Sequence, residues 1–215
     1  MGNQSSAVTL ELETLLDTAS TRLGLRITHH ERSVDGSHKK LLAFLRLNQA
    51  TEAYDAARSA LQHQRHKDLA LRLQWHCRGI QSRVHELSSH VNPPPCLATS
   101  LADVLYCASD GNIIDVKELY RIAEVLKDQY RKTNLVQEWS KQPSDKMRQL
   151  LRESTHDEIM AELCACAHTD TDPRIRNCDF SVLRELHGEL EEETKKEDHW
   201  DLLTTVPLDD TSDEA

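Results

Sequence analysis

The sequence predicts an all-α fold: a long antiparallel helical hairpin, three or four shorter helices packed near one end of it, and a disordered acidic tail. Three observations carry that expectation. Apolar or near-apolar residues recur at steps of three or four through Val8, Leu12, Leu15, Ala19, Leu23, Ile27, His30, Val34, His38, Leu41 and Leu45, so one stripe persists for about ten turns. At about 1.5 Å per residue that is a rod of about 55 Å, longer than a helix inside a compact domain of this size. Glycine and proline number only six each in 215 residues, and no alternating β-branched run marks a strand. Acidic residues crowd the C-terminal end, while the sequence before them is balanced in charge.

In chain order, the first arm crosses Ser33-Val34-Asp35-Gly36-Ser37, whose residues have weak helix propensity. The stripe stays in phase across them, so a kink or local irregularity is expected there and not a break. Leu47-Asn48-Gln49 is the expected turn, with Asn48 or Thr51 capping the second arm. That arm carries Ala53, Ala57, Leu61, Leu69, Leu73, Cys77, Ile80, Val84, Leu87 and Val91, and is expected to reach about His90. Asn92-Pro93-Pro94-Pro95 ends it, because prolines cannot donate to a helical ladder.

A short helix is expected on Leu97, Leu101, Val104, Leu105 and Ala108, then a turn at Ser109-Asp110-Gly111-Asn112. Val116, Leu119, Tyr120, Ala123, Leu126 and Tyr130 define a fourth helix. Gln142-Pro143-Ser144 interrupts the chain before a small apolar group at Met147, Leu150 and Leu151. Thr155-His156-Asp157-Glu158 reads as a capping box that starts a helix through Ile159, Leu163 and Ala167. The domain reading is a flexible segment at 1–7, a helical core at 8–168, and the tail at 169–215.

Charge divides the same way. The chain has a net charge of −10, and residues 169–215 hold all of it, with 5 basic and 15 acidic groups. Residues 1–92 carry 12 basic and 9 acidic groups together with eight histidines, so the hairpin is mildly basic. An aromatic content of 4% makes the core aliphatic. No apolar run approaches the roughly 20 residues needed to span a bilayer, and the start has no secretory pattern. Six cysteines are accordingly expected as reduced cytosolic thiols. Nothing in the charge pattern points to nucleic acid.

Met1-Gly2-Asn3-Gln4-Ser5-Ser6 fits the N-myristoylation pattern, with Gly2 as the acceptor; an ordinary flexible start is the bland alternative. One myristoyl chain binds membrane only marginally. Arg22, Arg26, Arg32, Lys39 and Lys40 are the candidate second, membrane-facing signal, or else a solvated helix face. In Cys164-Ala165-Cys166-Ala167-His168 the two cysteines point about 200° apart on a helix, so small buried thiols fit better than a metal site. His29-His30 and His63-Gln64-Arg65-His66 are each weak metal signals alone. No phosphate loop, nucleophile elbow or dinucleotide fingerprint is present, and no catalytic residue, cofactor or metal is expected.

Three stretches resemble a known family. Phe44-Leu45-Arg46-Leu47-Asn48-Gln49-Ala50-Thr51-Glu52-Ala53-Tyr54-Asp55-Ala56-Ala57-Arg58 is similar to the hairpin turn of the increased-sodium-tolerance family, an ESCRT-III-like group that regulates the vacuolar-sorting AAA ATPase in the multivesicular-body pathway. Leu97-Ala98-Thr99-Ser100-Leu101-Ala102-Asp103-Val104-Leu105-Tyr106-Cys107-Ala108 resembles its third helix. Val116-Lys117-Glu118-Leu119-Tyr120-Arg121-Ile122-Ala123-Glu124-Val125-Leu126-Lys127-Asp128-Gln129-Tyr130 resembles its fourth.

The resemblance covers about residues 9–168. It implies a non-enzymatic adaptor that binds ESCRT-III subunits, assembles with them or with itself into polymers, and recruits or regulates an AAA ATPase. It also implies a cytoplasmic location, peripheral on endosomal or other membranes. Tail motifs of the family bind the MIT domain of the ATPase. Leu203, Val206 and Pro207 match a Leu-Pro-x-Val-Pro motif except at Thr204, and Leu183, Leu186 and Leu190 approximate an amphipathic motif with Arg184 out of register. The family's first helix is usually strongly basic, and this one departs from that. A lipid-anchored helical scaffold of an unrelated family is the alternative reading, and a thiol or metal enzyme on Cys164, Cys166 and His168 is a third.

Overall fold

The computed structural model describes residues 2–89, 92–109, 113–131, 138–176 and Phe180. Helix α1 (Gly2–Arg46) and helix α2 (Ala50–Gln81) form the expected antiparallel hairpin. At 45 residues, α1 is about 67 Å long. It already includes residues 2–7, which were expected as a flexible lead.

The helix also runs without interruption through residues 33–37, so no break marks the weak propensities there. Their polar side chains are accommodated within the rod. Ser33 Oγ donates to the His29 carbonyl at 3.0 Å, and Ser37 Oγ meets Ser59 Oγ of α2 at 3.3 Å. Contact with the second arm overrides local propensity.

The turn is a Schellman motif. Gln49 N–H donates to the Phe44 carbonyl at 2.9 Å and Asn48 N–H to Leu45 at 3.1 Å, with Asn48 left-handed at φ 57°. The residue before α2 is therefore Gln49, which makes no side-chain cap; neither Asn48 nor Thr51 caps it as expected. Deeper in the hairpin the arms approach closely at Gly24, where an added Cβ would lie 3.1 Å from Gln74 Nε2. Gln74 uses that amide to donate to the Ser20 carbonyl at 2.8 Å.

The second arm does not reach His90 as one helix. It ends at Gln81, turns at Ser82 and Arg83, and resumes as α3 (Val84–Ser89). At the turn Ser82 N–H still donates to the Arg78 carbonyl, and its Oγ donates to the Gly79 carbonyl at 2.9 Å. Val84 and Leu87 stay fully buried beyond the turn, so the apolar period survives while the helix does not.

A single 3₁₀ turn (Pro95–Leu97) leads into α4 (Ala98–Ser109), followed by α5 (Lys117–Gln129), α6 (Asp145–Leu151), α7 (His156–Thr169) and the short α8 (Pro173–Arg176). Thr155 and Glu158 form the expected capping box on α7, each bonding the other's backbone N–H. Ser144 caps α6 by accepting from Met147 N–H at 3.2 Å. Among the described residues no helix is long and apolar enough to cross a membrane.

The short helices divide between the two ends of the hairpin, not near one end as expected, because two separate apolar cores form along it. One apolar core joins Leu12, Leu16, Ala19 and Leu23 of α1 to Leu69, Leu73, Cys77 and Ile80 of α2, and to the buried faces of α3, α4 and α5. Leu16, not the expected Leu15, is fully buried, and Leu15 packs beside it. The second core lies at the turn: Leu41, Leu45, Ala53, Ala56 and Ala57 pack against Ile159, Met160, Leu163 and Ala167 of α7 and Ile175 of α8.

Candidate interaction surface

A buried charge sets the position of α6 against α2. Asp103 of α4 is 0% exposed and accepts from Arg72 Nε (3.1 Å), His76 Nε2 (2.9 Å), Ser144 N–H (2.8 Å) and Ser144 Oγ (2.9 Å). Ser144 Oγ in turn accepts from Arg72 Nη2 at 3.1 Å, and His76 Nδ1 lies 2.9 Å from Ser100 Oγ. Burial alone pushes the Asp103 carboxyl up, but the hydrogen bonds from His76 and Ser144 outweigh it and hold the group below its ordinary value. Three elements that share no sequence proximity meet on this carboxylate.

Beside the network, α2 and α6 enclose a shallow groove of about 410 Å³. Leu71 and Trp75, one turn apart on α2, line it with Leu150 of α6; Asp68, Arg72 and Lys146 form its charged rim. Trp75 is 67% exposed and Leu71 44%, an apolar face without a partner among the described residues. A rigid helix presenting a large aromatic anchor is suited to receive an apolar helix face. Sequence reasoning missed this groove because Leu150 lies far from Trp75 in the chain. The available signal was Trp75 itself, off the buried stripe of α2.

A larger cleft, about 590 Å³, opens between α2 and the link from α6 to α7, lined by Arg58, Arg65, His66 and Arg152 among others. Its cations are partly committed. Arg65 Nη2 and Arg152 both hold the Glu158 carboxylate, the former at 2.7 Å. The Thr155 backbone hydrogen bond, followed by Arg152, brings Glu158 down to about 2.

The five basic residues expected to face a membrane are not equivalent. Arg22 pairs with Glu118 of α5 at 3.2 Å, and Arg26 with Asp115 at 3.5 Å. These two tie the hairpin to α5. Arg32, Lys39 and Lys40 are exposed on the other half of α1. Gly2 is the first residue of α1. The tail positions Leu183, Leu186, Leu190, Leu203, Val206 and Pro207 lie outside the described residues.

Cys164, Cys166 and His168 do not converge. His168 Nδ1 is engaged with the Cys164 carbonyl of its own helix at 2.6 Å, and both thiols are half-buried, less enclosed than expected. Burial, then the Glu162 carboxylate, pushes Cys166 up to about 11, which makes it a poor nucleophile. Among the described residues, two other clusters do bring ligand-type atoms within 4.8 Å of one another: His30, His63 and His66, and His38, Glu162 and Cys166. In the second, His38 Nε2 is already bonded to Glu162 at 2.7 Å.

No family model and no curated protein matches the chain. Among solved structures, it is similar to the S. cerevisiae Ist1 N-terminal domain, crystallised in complex with the Did2 MIM motif, with a TM-score of 0.67 and 15% identity. The match covers 80% of this chain and 97% of that one. The likeness shows the fold: the all-α, ESCRT-III-like hairpin expected from the sequence is the one observed.

Proposed function

We propose that this chain is a non-enzymatic ESCRT-III-associated adaptor. Its core receives a short amphipathic helix from an ESCRT-III subunit, and its tail recruits or regulates an AAA ATPase through the MIT domain. The observation that carries the reading is the groove of Leu71, Trp75 and Leu150, on a fold shared with a domain that was crystallised with a MIM motif. An entering helix would set its apolar residues on Trp75 and Leu71 and its charges against Asp68, Arg72 and Lys146. The tail residues Leu183, Leu186, Leu190, Leu203, Val206 and Pro207 belong to the ATPase half of the proposal.

The core half is tested by titrating the full chain into a labelled peptide that carries the C-terminal amphipathic helix of an ESCRT-III subunit. Binding in the micromolar range is expected, and Trp75→Ala should weaken it about 30-fold, the loss of a central aromatic anchor worth about 2 kcal/mol. Equal affinity of Trp75→Ala and Leu71→Asp with the parent chain would refute this docking site.

The membrane half of the reading places an acyl chain on Gly2, with Arg32, Lys39 and Lys40 as the exposed basic supplement. Co-expressed with an N-myristoyltransferase, the chain should sediment with anionic liposomes, and Gly2→Ala should remain in the supernatant. Sedimentation unaffected by Gly2→Ala would remove acylation from the mechanism.

A further inference from the structure

Between the two apolar cores the hairpin changes character. Between Leu23 and Leu41, no residue of α1 belongs to either buried apolar core; Ile27 only packs alongside, and His30 and the Ser37–Ser59 contact occupy the seam. On α2 the matching stretch between Ala60 and Leu69 holds His63 and His66. The antiparallel pairing brings His30 against both. His30 Nδ1 lies 3.4 Å from His63 Nδ1, and the His30 ring centroid is 5.2 Å from that of His66 and 5.6 Å from that of His63.

We propose that His30, His63 and His66 form a three-imidazole site for a divalent transition metal of the Zn²⁺ class, linking the two arms of the hairpin at its middle. The geometry fits. A tetrahedral ion with metal–nitrogen bonds of about 2.0–2.1 Å places its ligands about 3.3 Å apart, and the His30–His63 separation already matches that edge. One nitrogen from each of the three rings lies within 4.8 Å of the others, so small rotamer changes close the set. Three neutral imidazoles suit Zn²⁺, leaving one position for water.

The half-buried setting is consistent with that ligand set. Burial, then the neighbouring rings of His66, His63 and His29, brings His30 down to about 4, and burial lowers His63 and His66 as well. His66 also lines the open cleft between α2 and the α6–α7 link, which gives the cluster a solvent-facing side. In sequence the residues are two weak pairs on different helices. The site exists only once the hairpin folds, so occupancy would stiffen the seam where aliphatic packing is thinnest. This inference is independent of the docking groove.

The full chain, stripped with chelator and dialysed against Zn²⁺, is expected to retain one equivalent. Co²⁺ in its place should give the visible bands of a tetrahedral complex. His30→Ala and His66→Ala should each weaken binding by more than the roughly 10–100-fold that loss of a supporting contact causes, whereas His85→Ala and Cys166→Ser should leave it unchanged. Zn²⁺ should raise the thermal unfolding midpoint of the parent chain and leave that of His66→Ala unmoved. His63→Gln, which keeps a polar side chain of similar bulk, serves as a second ligand deletion, and circular dichroism verifies that each variant is folded. No stoichiometric Zn²⁺ in the parent chain overturns the site. So does parent-like binding by His30→Ala and His66→Ala. Loss on Cys166→Ser with retention in His66→Ala would move the metal to His38, Glu162 and Cys166, and overturns it too.

Discussion

Replacing Asp103 with alanine is expected to destabilise the fold by about 3 kcal/mol, measured by urea unfolding at pH 7. The carboxylate has no exposed surface, and Arg72, His76 and Ser144 all donate to it. Its removal leaves those donors facing a void. The figure sits at the low end for a broken buried pair because the Arg72 side chain is 20% exposed and can recover some water. The same carboxyl predicts a pH dependence with a definite sign. Its folded value is held below the ordinary 3.8, so the stabilisation is complete above the unfolded value and is lost as pH falls through the folded one. Asp103→Asn keeps the shape without the charge. Its deficit relative to the parent chain should therefore shrink as the pH is taken from 5 towards 2. A deficit that stays constant over that range would show that the carboxylate contributes shape alone.

Leu163→Ala is expected to cost about 3 kcal/mol as well, but with a different spatial signature. Leu163 is fully buried where α7 crosses the turn end of the hairpin, among Leu41, Leu45, Ala53 and Ala57. That core shares no buried residue with the one that holds α3, α4 and α5. Hydrogen exchange should therefore show α7 and the turn opening more often, with α4 and α5 nearly unchanged. Equal loss of protection in α4 and α5 would show that the two cores open as one unit. The contrast bears on the proposed function, because the groove of Leu71, Trp75 and Leu150 lies beside the core that holds Leu69, Leu73 and Met147, away from α7.

The parts legible from the residues are those that depend on near neighbours. The α1 stripe from Leu12 through Leu45, the stop before Pro93 and the capping box of Thr155 with Glu158 all follow from spacing within a turn or two. Their physics is local: helical period, a missing donor, two side chains satisfying two N–H groups. Where reading failed, two local options differed by little. Leu15 and Leu16 are adjacent and equally apolar, and only the second arm selects which is buried. Residues 33–37, read as in phase and unbroken, are indeed helical in spite of their weak propensity. At Ser82 the reverse holds, and a continuous apolar period hides a real turn.

The candidate sites lie almost wholly in the second category. Trp75 needs Leu150 beside it to form a groove, and Leu150 is placed by a cap on Ser144 that answers to a carboxylate on α4. His30 needs His63 and His66, which approach it only because the turn at Asn48 reverses the chain. Helical class, the hairpin and its charge balance were settled by periodicity and composition, since each is a sum over many residues in which single errors cancel. Which helix sits at which end, and which polar atoms meet across the seam, depended on the three-dimensional packing. Those outcomes turn on individual contacts of a few ångströms between residues far apart in the chain, and no local preference encodes them.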